Sequence, residues 1–254
     1  MSISMRTRIG LLALGTASLV ALTGCTLPLA PLPSASPTET PSASETAEAE
    51  PTPTPLSRPA LADLELSPDG LGPLLLGEPP VSDPALRMVA FEPEGCTDAE
   101  TGESFGIVAG DPAAGGWFID PAYRLPATPS FGGNPFGVGV DESEGNAVTR
   151  IDLYSADIPT DEGIRIGDSR AEVEAAYPGA SVAESYLTDI FVISGPSGLL
   201  QIEVVSQSTD DKAEYWGSTG IPDGEVVYIH AVVPAFGVFS VAASGNGVGG
   251  CNFS

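Results

Sequence analysis

Apolar and polar residues alternate along "AVTRIDLYSAD" (147–157), with Ile151 and Leu153 set against Arg150, Asp152 and Tyr154. That period predicts a strand with one buried face. "LTDIFVISG" and "GLLQIEVVSQ" read as two more strands, joined by a turn at Gly195-Pro196-Ser197-Gly198. "EVVYIHAVV" after Asp223-Gly224 predicts another strand, and "GVFSVAA" (237–243) one beyond it. The period changes within "IPTDEGIRIGDSRAEVEAAYPGA". Ile164 and Ile166 alternate around Arg165, Gly167 permits a turn, and Ser169 stands three residues before Glu172 as a capping box. Val173, Ala176 and Tyr177 fall on one face, and Pro178-Gly179 ends the run, so a short helix is predicted over 169–177.

The first half of the domain echoes this weakly. "PLLLGE" (73–78) aligns with "GIRIGD" (163–168), Gly77 matching Gly167, and Asp83-Pro84 can open a helix over Ala85–Phe91. Pro79 and Pro80 weaken the match, and a six-residue echo arises easily by chance, so tandem duplication stays open beside coincidence. The expected fold class is α+β: antiparallel sheet with one or two short helices packed on one face, as a domain over 58–254. If the halves are degenerate repeats, they divide into 58–146 and 147–254.

Ahead of this domain the pattern is different. Arg6 and Arg8 precede an uncharged, mostly apolar run of 13 residues, Ile9 to Ala21. That order fits a secretory signal over 1–24, the run being shorter than the roughly 20 residues a spanning helix needs. Leu22-Thr23-Gly24-Cys25 resembles the bacterial lipobox. The resemblance implies cleavage before Cys25, an acyl-bearing (palmitate-type) lipid on that cysteine, and retention at a membrane, since two or more chains anchor stably. With Cys25 lipidated, Cys96 and Cys251 remain of the three cysteines. An exported chain favours joining them.

Residues 26–57 hold 8 Pro and 11 Ser or Thr with four Glu and no basic residue. Such a composition cannot bury enough surface to offset ordering its backbone, so 25–57 reads as a lipidated cysteine followed by a disordered tether. A Pro-rich tether of this length reaches up to roughly 100 Å. Ser, Thr and Pro together also suit an O-glycosylated stalk.

Charge narrows the partners. Without Arg6 and Arg8, seven basic residues face 34 acidic ones, a net charge of −27. Nucleic acid is excluded, because phosphate binding needs clustered Lys and Arg, and anionic headgroups repel such a surface. A cationic partner, bound divalent metal or plain solubilisation remain open. Arg over Lys, with abundant Ala, Gly and Pro, points to a GC-rich genome and hence an actinobacterium.

A strand, then "GDSRAEV" opening a helix, then "YP" and a hairpin, resembles the repeat unit of BamE-like and beta-lactamase-inhibitor-like proteins. It also resembles uncharacterised actinobacterial secreted lipoproteins. The resemblance implies helix-plus-sheet repeats side by side, and carries over no functional residue.

Candidate chemistry is thin. "GESFG" fits the nucleophile-elbow pattern, with Ser104 ahead of Asp210 and His230, but no strand precedes it and no helix follows. His230, the only histidine, lies in an apolar strand, where a core role outweighs a general base. "DESEGN" (141–146) is oxygen-rich yet lacks the EF-hand pattern, so neither metal nor cofactor is expected. Aromatics in glycine-rich settings are the better pointer to a binding face: Trp117, Phe118, Phe131, Phe136, Tyr215 and Trp216. The sequence thus predicts a non-enzymatic lipoprotein at the outer face of the cell membrane, presenting a domain to an envelope protein or wall component. A secreted-enzyme inhibitor of the beta-lactamase-inhibitor type is the alternative, and a Ser104 hydrolase the weakest.

Overall fold

"LLQIEVV" sets Leu200, Ile202 and Val204 on one face and Gln201 and Glu203 on the other, and the computed structural model buries both faces deep inside a sheet. The structure describes residues 57–97, 106–126 and 133–251. Among them are strands β1 (Leu66–Ser67), β2 (Gly70–Leu71), β3 (Leu74–Leu75), β4 (Val89–Glu92), β5 (Gly116–Ile119), β6 (Phe136–Asp141), β7 (Ala147–Leu153), β8 (Ser181–Glu184), β9 (Thr188–Ser194), β10 (Leu199–Val205) and β11 (Val226–Val232). The α-helices among the described residues are α1 (Arg170–Ala176), α2 (Asp210–Thr219) and α3 (Val241–Ser244), beside short 3-10 turns. The main sheet is antiparallel in the order β6-β7-β11-β10-β9-β8; β4 pairs with β5, and β1–β3 form a small meander. The fold is therefore α+β.

Rows of side chains run across the main sheet. Phe136, Leu153, Ile229, Ile202 and Phe191 are in register on one face, and all are buried. With Leu66, Leu71 and Leu74 of β1–β3 and Val173 of α1 they form the main core. Trp216 of α2 packs instead with Leu187 and Val205 in a second cluster. Val204 and Val205, adjacent on β10, face the two clusters in turn, so the helices are not confined to one side as expected. The 146/147 boundary falls in the β6–β7 turn, and residues on both sides of it share one sheet and one core.

The two echoes adopt the same backbone geometry. The Gly77 amide donates to Val148 O and Val148 donates back to Glu78 O; the Gly167 amide donates to Val226 O and Val226 donates back to Asp168 O. Both glycines have positive φ, +81° and +97°, a conformation that strongly favours glycine. The helix does not recur. Asp83 does accept from the Ala85 amide at 2.9 Å, but only a turn forms, and Val89–Glu92 go extended to pair with β5.

"GVFSVAA" is likewise not a strand. Ser240 caps α3 through the Ala243 amide, and the chain from Val233 to Cys251 crosses the second face of the main sheet as a strap. Ile164 and Ile166 are buried or half-buried but pair with no strand. α2, unread in the sequence, has Thr209 as N-cap, two aspartates in its first turn and Gly220 at its left-handed end.

Candidate functional site

The second face of the main sheet carries polar side chains in a row. Asp152, His230 and Gln201 are in register across β7, β11 and β10, with Arg150 and Glu203 one step away. All are buried, because the C-terminal strap lies on them. Gln201 Nε2 donates to Gly237 O (2.9 Å) and its Oε1 accepts from the Phe239 amide (3.1 Å). Glu203 accepts from the Ser240 hydroxyl (2.6 Å), the Thr188 hydroxyl (2.7 Å) and the amides of Val241 and Ala242. Arg150 grips Asp152 through two 2.7 Å bonds and donates to Asn246 O, while Asp152 accepts from the Val248 amide at 3.1 Å. Tyr154 donates to Val248 O. Gly137 is required beneath this segment, since a Cβ there would lie 1.8 Å from Val248 O.

The strap thus satisfies most of these polar groups, largely with its own backbone, and beside it Thr149, Arg150, Asn246 and Val248 line an open cavity of about 440 Å³. Burial pushes the carboxyl of Glu203 up, while its hydroxyl and amide donors pull it back. For Asp152 burial pushes the same way against the pull of Arg150.

His230 is the exception in this network. It is fully buried, its ring lies 4.8 Å from that of Phe239, and neither nitrogen has a hydrogen-bond partner among the described residues. Burial first, then the Arg150 charge, pull its pKa down to about 3. A neutral imidazole packed under an aromatic ring takes the place of a core side chain. The unfolded chain binds the proton near pH 6.5 and the folded chain only near pH 3, so stability present above about pH 6.5 is lost as pH falls through that window. Asp152 and Glu203, with raised pKa, act in the opposite sense as they protonate. A difference measurement isolates the histidine: His230→Leu should gain on the native protein by about 1.4 kcal/mol per pH unit below 6.5. Urea unfolding at pH 7, 6, 5 and 4.5 reads this, and parallel curves would contradict it.

The remaining predicted residues do not form one face. Cys25, Ser104 and Phe131 lie outside the described residues. Phe136 is a fully buried core side chain, its ring 5.7 Å from Tyr123. Trp216 is also buried, its Nε1 donating to Leu187 O at 2.7 Å. Neither can anchor a partner. Trp117 and Phe118 are half-buried on β5, with Phe91 5.7 Å from Trp117. Tyr215 alone of the five described is exposed, and the structure sets it in one groove with Tyr186, which the sequence reading missed. The available signal was a tyrosine in "AESYLTD", at a turn between two strands.

Asp210 opens α2. Asp141 turns its carboxylate on the Ser143 amide and hydroxyl (2.8 and 2.6 Å), shaping the loop that begins "DESEGN". Among the described residues no group of three His, Cys, Asp or Glu could hold a metal ion.

Cys96 and Cys251 are bonded, with Cα atoms 5.5 Å apart. The bond joins the loop after β4 to the end of the strap, which also meets β5 where the Gly250 amide donates to Trp117 O at 2.9 Å. The start of the described chain is clamped nearby: Arg58 grips Asp120 at 2.7 and 3.0 Å, and the Tyr123 hydroxyl donates to Pro59 O at 2.8 Å. In comparisons with known protein families, curated proteins and solved structures, nothing matches this chain.

Proposed function

We propose that this chain is an extracytoplasmic lipoprotein, anchored through lipid on Cys25, that displays a non-enzymatic binding domain beyond a Pro-rich tether. The observation that carries the reading is cysteine usage. Cys96 and Cys251 are taken by each other, which leaves Cys25 as the odd cysteine, directly behind an apolar run and a small residue. The Arg58–Asp120 and Tyr123–Pro59 contacts suit a tether's point of entry, since pull on residue 58 passes into folded structure. For the Ser104 hydrolase alternative, the one histidine of the chain, His230, is buried beneath the strap. The inhibitor alternative would have to use a surface other than the strap-covered face over Gln201, Glu203 and His230.

The test is fractionation of the producing cell with an alkyne-palmitate label. The native chain should be labelled and sediment with membranes, whereas Cys25→Ser should lose the label and most of its membrane association. A serine variant that keeps both would overturn the proposal.

A further inference from the structure

This inference rests on the reading of the chain as a displayed binding domain, and names the chemistry that one surface would take. Asp211, Glu214, Tyr215 and Ser218 are spaced i, i+3, i+4 and i+7 along α2, so they share one outward strip. Tyr186, in the turn between β8 and β9, stands beside that strip, and the five residues line a single shallow groove. The rings are open to solvent, Tyr186 at 69% and Tyr215 at 47%. Two such rings in one groove make a more pointed feature than scattered surface apolar residues, which need no explanation.

The groove is held rigid from behind. The Trp216–Leu187 hydrogen bond ties the helix to the residue next to Tyr186. Tyr215 packs edge-on against Trp216 with ring centroids 5.0 Å apart, and the Ser218 hydroxyl donates to Tyr215 O at 2.7 Å. Rigid aromatic walls lose little entropy on binding. The charges at the groove are both negative. Asp211 also serves the helix N-terminus, but Glu214 stands a turn further on, without that role. Lys212 is on the adjacent strip and makes no ion pair among the described residues.

We propose that this groove docks a lysine- or arginine-bearing segment of a partner protein. The tyrosine faces receive the cation, Asp211 and Glu214 neutralise it, and the net charge of −25 over the full chain steers it in. Exposed ion pairs contribute little alone, so the rings are expected to set affinity and the carboxylates the salt dependence.

The experiment measures binding of a fluorescent, end-capped Lys/Arg-rich dodecapeptide to the full mature chain by anisotropy, at low and moderate salt. Saturable binding is expected, weakened about tenfold or more in Tyr186→Ala/Tyr215→Ala and restored in the Tyr→Phe pair, which keeps both ring faces. Asp211→Asn/Glu214→Gln should weaken it by about threefold to fivefold and flatten its salt dependence. Glu92→Gln/Glu174→Gln, removing the same charge elsewhere, should stay within about twofold. Thermal melts verify folding, and the exposure of both tyrosines makes their removal tolerable. No saturable binding, an alanine pair that binds like the native chain, or a distant charge control that weakens it equally would each overturn the proposal. Lipid on Cys25 is read separately, so a chain that is anchored yet ignores the peptide refutes the groove alone.

Discussion

Replacing Glu203 with alanine is expected to destabilise the domain by about 3–5 kcal/mol, the size expected when a buried hydrogen-bond network is broken. The carboxylate is fully buried and accepts from two hydroxyls and two strap amides. Alanine leaves all four donors without their acceptor, and each buried unsatisfied group costs about 1–3 kcal/mol before relaxation. Part of that cost is recovered if the strap lifts and water reaches the donors. The variant should therefore show faster hydrogen exchange at Val241 and Ala242, as well as a lower urea midpoint. Glu203→Gln keeps the volume and one acceptor oxygen but brings two N–H groups toward existing donors, so it should fall between the two. A loss under about 1 kcal/mol in the alanine variant would show that the strap does not depend on this side chain.

Removing the Cys96–Cys251 bond is expected to cost about 5 kcal/mol, because the bond closes a loop of 155 residues in the unfolded chain. The effect has a local part as well. The last turn of the strap is held by Asp152, Tyr154, Arg150 and the Gly250–Trp117 contact, but its glycines, Gly247, Gly249 and Gly250, add little apolar surface. Without the bond, Asn246–Cys251 should exchange and be cleaved before the sheet does. Denaturant unfolding of Cys96→Ser/Cys251→Ser, with limited proteolysis read by mass, checks both parts. Unchanged stability and an equally protected strap would contradict the account.

What was legible in the sequence follows from how local each signal is. The α1 capping box needs only Ser169 and Glu172, and the structure has both of its hydrogen bonds. The β9–β10 hairpin and β11 were legible from continuous apolar runs. β10 deceives in one respect: Gln201 and Glu203 look like a solvent face, yet they are buried under a segment some 40 residues later in the chain. No local pattern announces that cover. The same strap hid α3, since "GVFSVAA" reads as a strand until Ser240 is seen capping a helix whose first amides meet Glu203. α2 was overlooked although Thr209, the paired aspartates and Gly220 mark both of its ends; its weak apolar periodicity concealed them. For the candidate face, composition could not separate Trp216, which bonds Leu187 from inside, from its neighbour Tyr215, which points out.

The central claim is that the mature chain begins at a lipidated Cys25. Its most direct test is the intact mass of protein extracted from membranes in detergent, with fragmentation of the N-terminal peptide. The account predicts a first residue of Cys25 carrying a thioether-linked diacylglycerol, with Cys96 and Cys251 joined. A mature chain that starts elsewhere, or a Cys25 free of lipid, would contradict it.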